Sequence, residues 1–149
     1  MADTSDIRTP SPARSASTDW VTWRDLDATE TAAVSVIVPA GECDVDLEVR
    51  LPAVLNQTVS PHEIVVIDSS PDGRHFGAVT RLEQAGTRTA IRYVRSPALS
   101  PGALRRLAAR LAAGNVRAFA FAGSLLPATW VERIGAAVRG MRSPAFSIA

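Results

Sequence analysis

Two stretches decide the fold: V-S-V-I-V-P at residues 34–39, and E-I-V-V-I-D-S-S-P-D-G at residues 63–73. The first is part of a β-branched apolar run over 33–39, of the kind buried on both faces of a parallel sheet. The second repeats that run over 64–67 and then breaks into Asp68-Ser69-Ser70-Pro71-Asp72-Gly73, whose Pro, Asp and Gly are turn residues. Between them Leu47, Leu51, Val54 and Leu55 recur at helical spacing, which predicts a helix over 46–57, kinked or restarted at Pro52.

Outward from this strand-helix-strand unit the alternation continues. Phe76, Val79 and Leu82 mark a second helix, and 91–94 a third strand. Pro101 opens a helix with Leu104, Leu107, Ala108 and Leu111 on one face, and Gly114 closes it. Residues 116–121 read as a fourth strand. Pro127 begins a last helix through Trp130, Ile134 and Val138. Strands and helices in alternation with short joints predict an α/β domain, a mostly parallel sheet flanked by helices. Ligands of such sheets sit beyond the carboxyl ends of the strands. Here these ends are 39–41, 68–70, 95–97 and 121–124.

The chain of 149 residues is expected to divide into a flexible N-terminal tail (1–31), one domain (32–140) and a C-terminal tail (141–149). Trp20 and Trp23 interrupt the first tail, either as a turn packed on the domain or as an anchor for a partner. Hydrophobic residues at 46% and charged residues at 21% fit a globular domain. No apolar run approaches the ~18–20 residues of a membrane span, and no signal pattern opens the chain, so the expectation is a cytoplasmic protein without a transmembrane segment. The single cysteine, Cys43, has no internal disulfide partner.

All 16 basic residues are arginine. With no lysine, a Walker A phosphate loop, a Schiff base and an amine nucleophile are excluded. Charge is divided along the chain: residues 1–83 hold 14 acidic residues and 6 arginines, and residues 84–149 hold 1 and 10. The second half is therefore the side expected to face anions. The 7 arginines from Arg88 to Arg117 have only Tyr93 and, just beyond, Phe119 as aromatic company, so a nucleic-acid role is not expected. No G-x-G-x-x-G follows the first strand, Cys43, His62 and His75 lack zinc-site spacing, and Phe121-Ala122-Gly123-Ser124-Leu125 is not a nucleophile elbow.

With Leu55-Asn56-Gln57-Thr58 between them, the two deciding stretches resemble the opening of a family 2 glycosyltransferase of the GT-A, Rossmann-like fold. The family's usual text is V-S-V-I-I-P-x-Y-N-E, L-L-N-Q-T, then E-I-I-V-V-D-D-G-S-x-D-G. The 16 residues between Pro39 and Asn56 match the usual interval without a gap. The resemblance covers about 34–140 and implies the donor-binding half of a protein that transfers a sugar from a nucleotide-diphosphate donor to an acceptor hydroxyl.

Carried over by position, the resemblance implies a donor site of Pro39, Gly41, Glu42, Asp68, Ser70 and Arg105. Gly41 stands where the family has an aromatic that contacts the base, and Glu42 where it has asparagine. Asp68 is implied as the reader of the base; as residues alone, a strand-end Asp capping the next turn is the alternative. Arg105 is implied at the diphosphate, with Arg106 in the following asparagine position; a solvated helix face is the alternative reading, above all for Arg106 and Arg110.

The family holds Mg²⁺ or Mn²⁺ with a D-x-D, and the matching positions are Phe121, Ala122 and Gly123, with Ser124 next. Hydrocarbon and hydrogen do not ligate a hard cation. No carboxylate lies between Glu83 and Glu132, and the position of Glu132 on its helix gives no reason to make it a catalytic base. The expectation is therefore a weak or inactive, truncated relative of the pseudoenzyme type, with no assigned catalytic or metal residues. Its expected ligand is a nucleotide-diphospho-sugar, and a partner chain or second copy would cover the missing half. A non-catalytic nucleotide-sugar-binding or scaffold protein is the alternative, and after it a polyanion-binding module.

Overall fold

A computed structural model describes residues 19–23, 29–41, 47–97, 99–140 and 145–148. In chain order the elements are β1 (Asp19–Trp23), β2 (Val34–Ala40), α1 (Leu47–Leu55), β3 (Glu63–Asp68), α2 (Phe76–Ala85), β4 (Ile91–Arg95), α3 (Pro101–Leu111), β5 (Val116–Phe119), α4 (Trp130–Gly140) and β6 (Ala145–Ile148). They form one six-stranded sheet of order β4-β3-β2-β5-β1-β6. The pairs β2–β3, β3–β4 and β2–β5 are parallel, as the uninterrupted apolar runs predict. The pairs β1–β5 and β1–β6 are antiparallel.

These two antiparallel strands correct the reading of both tails. Asp19–Trp23, placed by sequence in the flexible N-terminal tail, and Ala145–Ile148, placed in the C-terminal tail, pair with each other and extend the sheet past β5. The short text D-W-V-T-W is rich in β-branched and aromatic residues, but five residues among Ser, Thr, Pro and Asp give no sustained period. Val21 is fully buried, whereas the side chains of Trp20 and Trp23, like Glu42 and Cys43, lie outside the described residues.

Alternation along the parallel strands sends side chains to two layers. One face gathers Val36, Val38, Ile64, Val66, Val116 and Ala118 under Leu51 and Val54 of α1, Val79 of α2, and Trp130, Ile134 and Val138 of α4. The other gathers Ile37, Val65, Ile67 and Phe119 under α3, through Leu104, Leu107, Ala108 and Leu111. This division follows from the topology. The chain steps outward from β2 through β3 to β4, then returns across the sheet to place β5 on the far side of β2. Right-handed crossovers in opposite directions put their helices on opposite faces. Each fully buried Val, Ile or Leu contributes about 1.5–3 kcal/mol to this core.

Local differences from the expected boundaries have visible causes. α1 runs through Pro52 without a break, and Asn56 N–H closes onto the Pro52 carbonyl at 2.9 Å. β5 ends at Phe119, not at 121, because Ser124 N–H bonds the Phe121 carbonyl across a tight turn with Gly123 at φ +77°. α4 begins at Trp130, after a turn in which Trp130 N–H bonds the Pro127 carbonyl at 3.0 Å. α3 ends at Leu111; Gly114 lies beyond it, where a Cβ would stand 2.3 Å from the Ala33 carbonyl. Glycine is needed there for close approach of the α3–β5 link to β2.

Candidate functional site

The strand order makes β2 and β5 the switch point, since the connections leaving them run to opposite sides. The crevice beyond their carboxyl ends is where sheets of this kind bind ligands. The ends of β2 and β3 are tied together there. Ser69 N–H and Oγ both donate to the Ala40 carbonyl, at 2.8 and 3.2 Å, and the His75 ring Nε2 lies 2.7 Å from the Gly41 carbonyl.

Asp68 ends β3 and is fully buried. Its Oδ1 accepts from Ser70 N–H at 2.8 Å and Ser70 Oγ at 2.6 Å. Its Oδ2 accepts from His75 N–H at 3.3 Å and the Tyr93 hydroxyl at 2.5 Å. A carboxylate has about four lone-pair positions, and these donors fill them. Burial pushes the Asp68 carboxyl up, but the bonds from Ser70, Tyr93 and His75 outweigh it and hold the group below its usual value. In turn, burial and the Asp68 carboxylate raise the Tyr93 phenol well above its ordinary range. Asp68 thus organises the 69–75 turn, and contact with a base N–H would require displacing one of these donors.

The other residues singled out by sequence distribute as follows. Pro39 is half-buried and its carbonyl accepts from the guanidinium of Arg50, itself buried, at 2.9 Å. Among the described residues an added Cβ at Gly41 would meet Ser69 Oγ at 3.8 Å, an ordinary van der Waals contact, and the aromatic expected of the resemblance is missing there. Ser70 is buried in the Asp68 network, and Glu42 is outside the described residues. Arg105 is half-buried on α3, on the opposite face of the sheet from α1 and α2, and Arg106 is exposed. The helix carrying them starts at Ser100, whose Oγ caps Ala103 N–H at 3.2 Å.

At 121–124, the stretch that the resemblance matches to a D-x-D, the side chains do not fit a divalent cation. Phe121 stacks on Phe119 with ring centroids 5.8 Å apart and packs with the α3 layer. Ala122 and Gly123 form the exposed turn, and Ser124 Oγ is the one side-chain oxygen of the group. Among the described residues no three His, Cys, Asp or Glu side chains come together.

Sequence reasoning used Gln57 only as part of a pattern and missed its work. Gln57 is buried; its Nε2 donates to the Ala53 and Pro127 carbonyls, both at 3.0 Å, and its Oε1 accepts from Val131 N–H at 3.0 Å. Thr58 adds a bond from its N–H to the Ala128 carbonyl and one from Oγ1 to Glu132 at 2.9 Å. This clamp sets the β5–α4 connection, which carries 121–124, and satisfies Val131 N–H in the first turn of α4. The contact between Tyr93 and Asp68 was also missed; it depends on β4 pairing beside β3, which no local pattern announces.

A groove of about 530 Å³ lies at the opposite, amino end of the strands, between the α1–β3 and α2–β4 connections. Among its walls are Pro52, Leu55, Asn56, Leu82 and Gly86, and its one charged lining residue is Arg88. It faces away from the strand ends and brings together no reactive or chelating set.

No protein-family model matches the chain, and no curated protein matches it. Among solved structures the chain is similar to the mannosyltransferase PcManGT from Pyrobaculum calidifontis, in complex with GDP-Man and Mn²⁺. The two are 30% identical, and the match covers 62% of this chain and 28% of that one, with a TM-score of 0.49.

Proposed function

We propose that this chain is a nucleotide-diphospho-sugar-binding domain of the family 2 glycosyltransferase type that does not transfer the sugar by itself. The observation that carries the reading is the switch of strand order at β2 and β5. It brings to one rim the segments whose text is in register with that family: 39–41, 68–70 and 121–124. In this reading Gly41 offers no aromatic to the base, Asp68 and Ser70 hold the rim in shape, and Arg105 meets the diphosphate. Guanidinium groups suit that task because they bond phosphate oxygens in pairs.

Two local facts support the inactive half of the proposal. No carboxylate stands at 121–124 to hold a cation at the diphosphate. Glu132, the late carboxylate of the chain, accepts a bond from Thr58 and braces α4. Calorimetric titration with UDP, GDP, dTDP and their sugar conjugates, with and without Mn²⁺, tests the reading. The expected result is nucleotide-selective binding that does not depend on metal, and no sugar transfer to added acceptors. No binding at millimolar ligand by the folded protein overturns it.

A further inference from the structure

Four large hydrophobic side chains stand exposed among the described residues: Val49, Val59, Phe76 and Leu125. Phe76 is the aromatic one, 57% exposed, and it sits at the carboxyl ends of β3 and β4. Helix α2 buries Ala78 and Val79 and leaves Phe76 outside, so core packing does not account for it. Its ring is nevertheless held in place. It meets Tyr93 edge to face, with centroids 5.3 Å apart and planes at 66°, and Tyr93 is pinned by its bond to Asp68.

A cation shares this corner. Arg95 is exposed, and its guanidinium donates to the Pro71 carbonyl. It passes so close to Gly73 that a Cβ there would lie 3.2 Å from Arg95 Nε and 3.4 Å from the Tyr93 hydroxyl. Phe76 joins the same point, since its N–H bonds the Gly73 carbonyl at 3.1 Å. Gly73, at φ +65°, is thus the hub around which an exposed ring, its aromatic support and a guanidinium are gathered. A flat apolar face beside a cation suits a nucleobase attached to a phosphate.

We propose that Phe76, backed by Tyr93 and flanked by Arg95, is the stacking surface for the base of the nucleotide ligand, in place of the aromatic absent at Gly41. The inference rests on the nucleotide-binding reading above. The platform lies over β3 and β4, and the switch-point crevice over β2 and β5. Their separation is about two strand spacings, ~10 Å. A nucleoside diphosphate laid along the rim joins the two, with its base on Phe76 and its diphosphate in the crevice.

The test compares wild type, Phe76→Ala and Phe76→Tyr by calorimetric titration with UDP, GDP and inorganic pyrophosphate, with thermal melts to establish that each is folded. Removing the ring should weaken both nucleotides by roughly 5- to 150-fold, the range of base stacking on an aromatic, and leave pyrophosphate unchanged. Phe76→Tyr should bind as wild type does. If Phe76→Ala binds nucleotides like wild type, the inference fails and the nucleotide-binding reading stands. An equal loss of pyrophosphate also overturns it, because Phe76 would then act through the shape of the rim. If folded wild type binds neither nucleotide, both readings fail together.

Discussion

The two ends of β3 each carry a buried carboxylate, Glu63 at the start and Asp68 at the finish, and the two are used differently. Glu63 joins separate parts of the chain. Its Oε1 accepts from Ser35 Oγ of β2 at 2.8 Å and from Ala113 N–H in the α3–β5 link at 2.5 Å, and its Oε2 accepts from Arg92 of β4 at 3.1 Å. Gly114 N–H completes the joint by bonding Ser35 Oγ at 2.9 Å. Asp68 holds the turn that follows it and takes one further bond from Tyr93 of β4, using neutral donors alone. One end of the sheet is therefore closed by its polar network, whereas the other is shaped by it and keeps an aromatic ring and arginines outside. That contrast supports looking for a ligand at the carboxyl end, although a groove of about 530 Å³ lies at the amino end.

The sharpest way to break the amino-end joint is Gly114→Ala. The added Cβ would meet backbone, not a yielding side chain, at 2.3 Å from the Ala33 carbonyl. The expected cost is about 3 kcal/mol of stability in urea unfolding, because the link must move off β2. A variant as stable as wild type would show that the link does not need its close approach.

Next in size is Asp68→Asn at the carboxyl end, expected to cost about 2–3 kcal/mol, since one oxygen and an amide replace a carboxylate that accepts from four donors. The pH dependence sharpens the test. The folded-state pKa of Asp68 is lowered, so its contribution is present above the ordinary value of 3.8 and is lost as pH falls through the folded value. Asp68→Asn should flatten that acid slope; an unchanged slope would assign it to other carboxylates.

The smallest effect is expected from Tyr93→Phe, about 1 kcal/mol at neutral pH for one hydrogen bond. It has a signature at the other end of the pH scale. The folded protein holds the phenol proton beyond the ordinary value of 10.0, so the unfolded state loses that proton first and stability falls as pH rises above 10.0. Melts in alkaline buffer should show this slope in wild type and less of it in Tyr93→Phe. Equal slopes in both would separate Tyr93 from the Asp68 network.

Much of the parallel sheet was legible in the text. Runs such as 34–38 and 64–67 carry enough β-branched apolar residues to be strands wherever they are placed, and both strands of the quoted pair are observed. The amphipathic spacing of Leu104, Leu107 and Leu111 likewise marked α3. The antiparallel strands β1 and β6 were not legible, because four or five residues hold no period and their partners are far away in the chain. At the rim, the turn after Asp68 was readable from Pro71, Asp72 and Gly73, but its donors were not.

The order of residues thus carries the alternation of strand and helix, the strand ends at which a ligand is expected, and the absence of carboxylates from 121–124. These follow from local chemistry: side-chain branching, periodicity and the presence or lack of an oxygen. Folding adds that Asp68 is occupied by Ser70, His75 and Tyr93, that Gln57 clamps the start of α4, and that Phe76 stands exposed against Tyr93 beside Arg95. Each of these depends on which strand lies next to which, and pairing between distant segments is set by how the whole sheet buries its two faces.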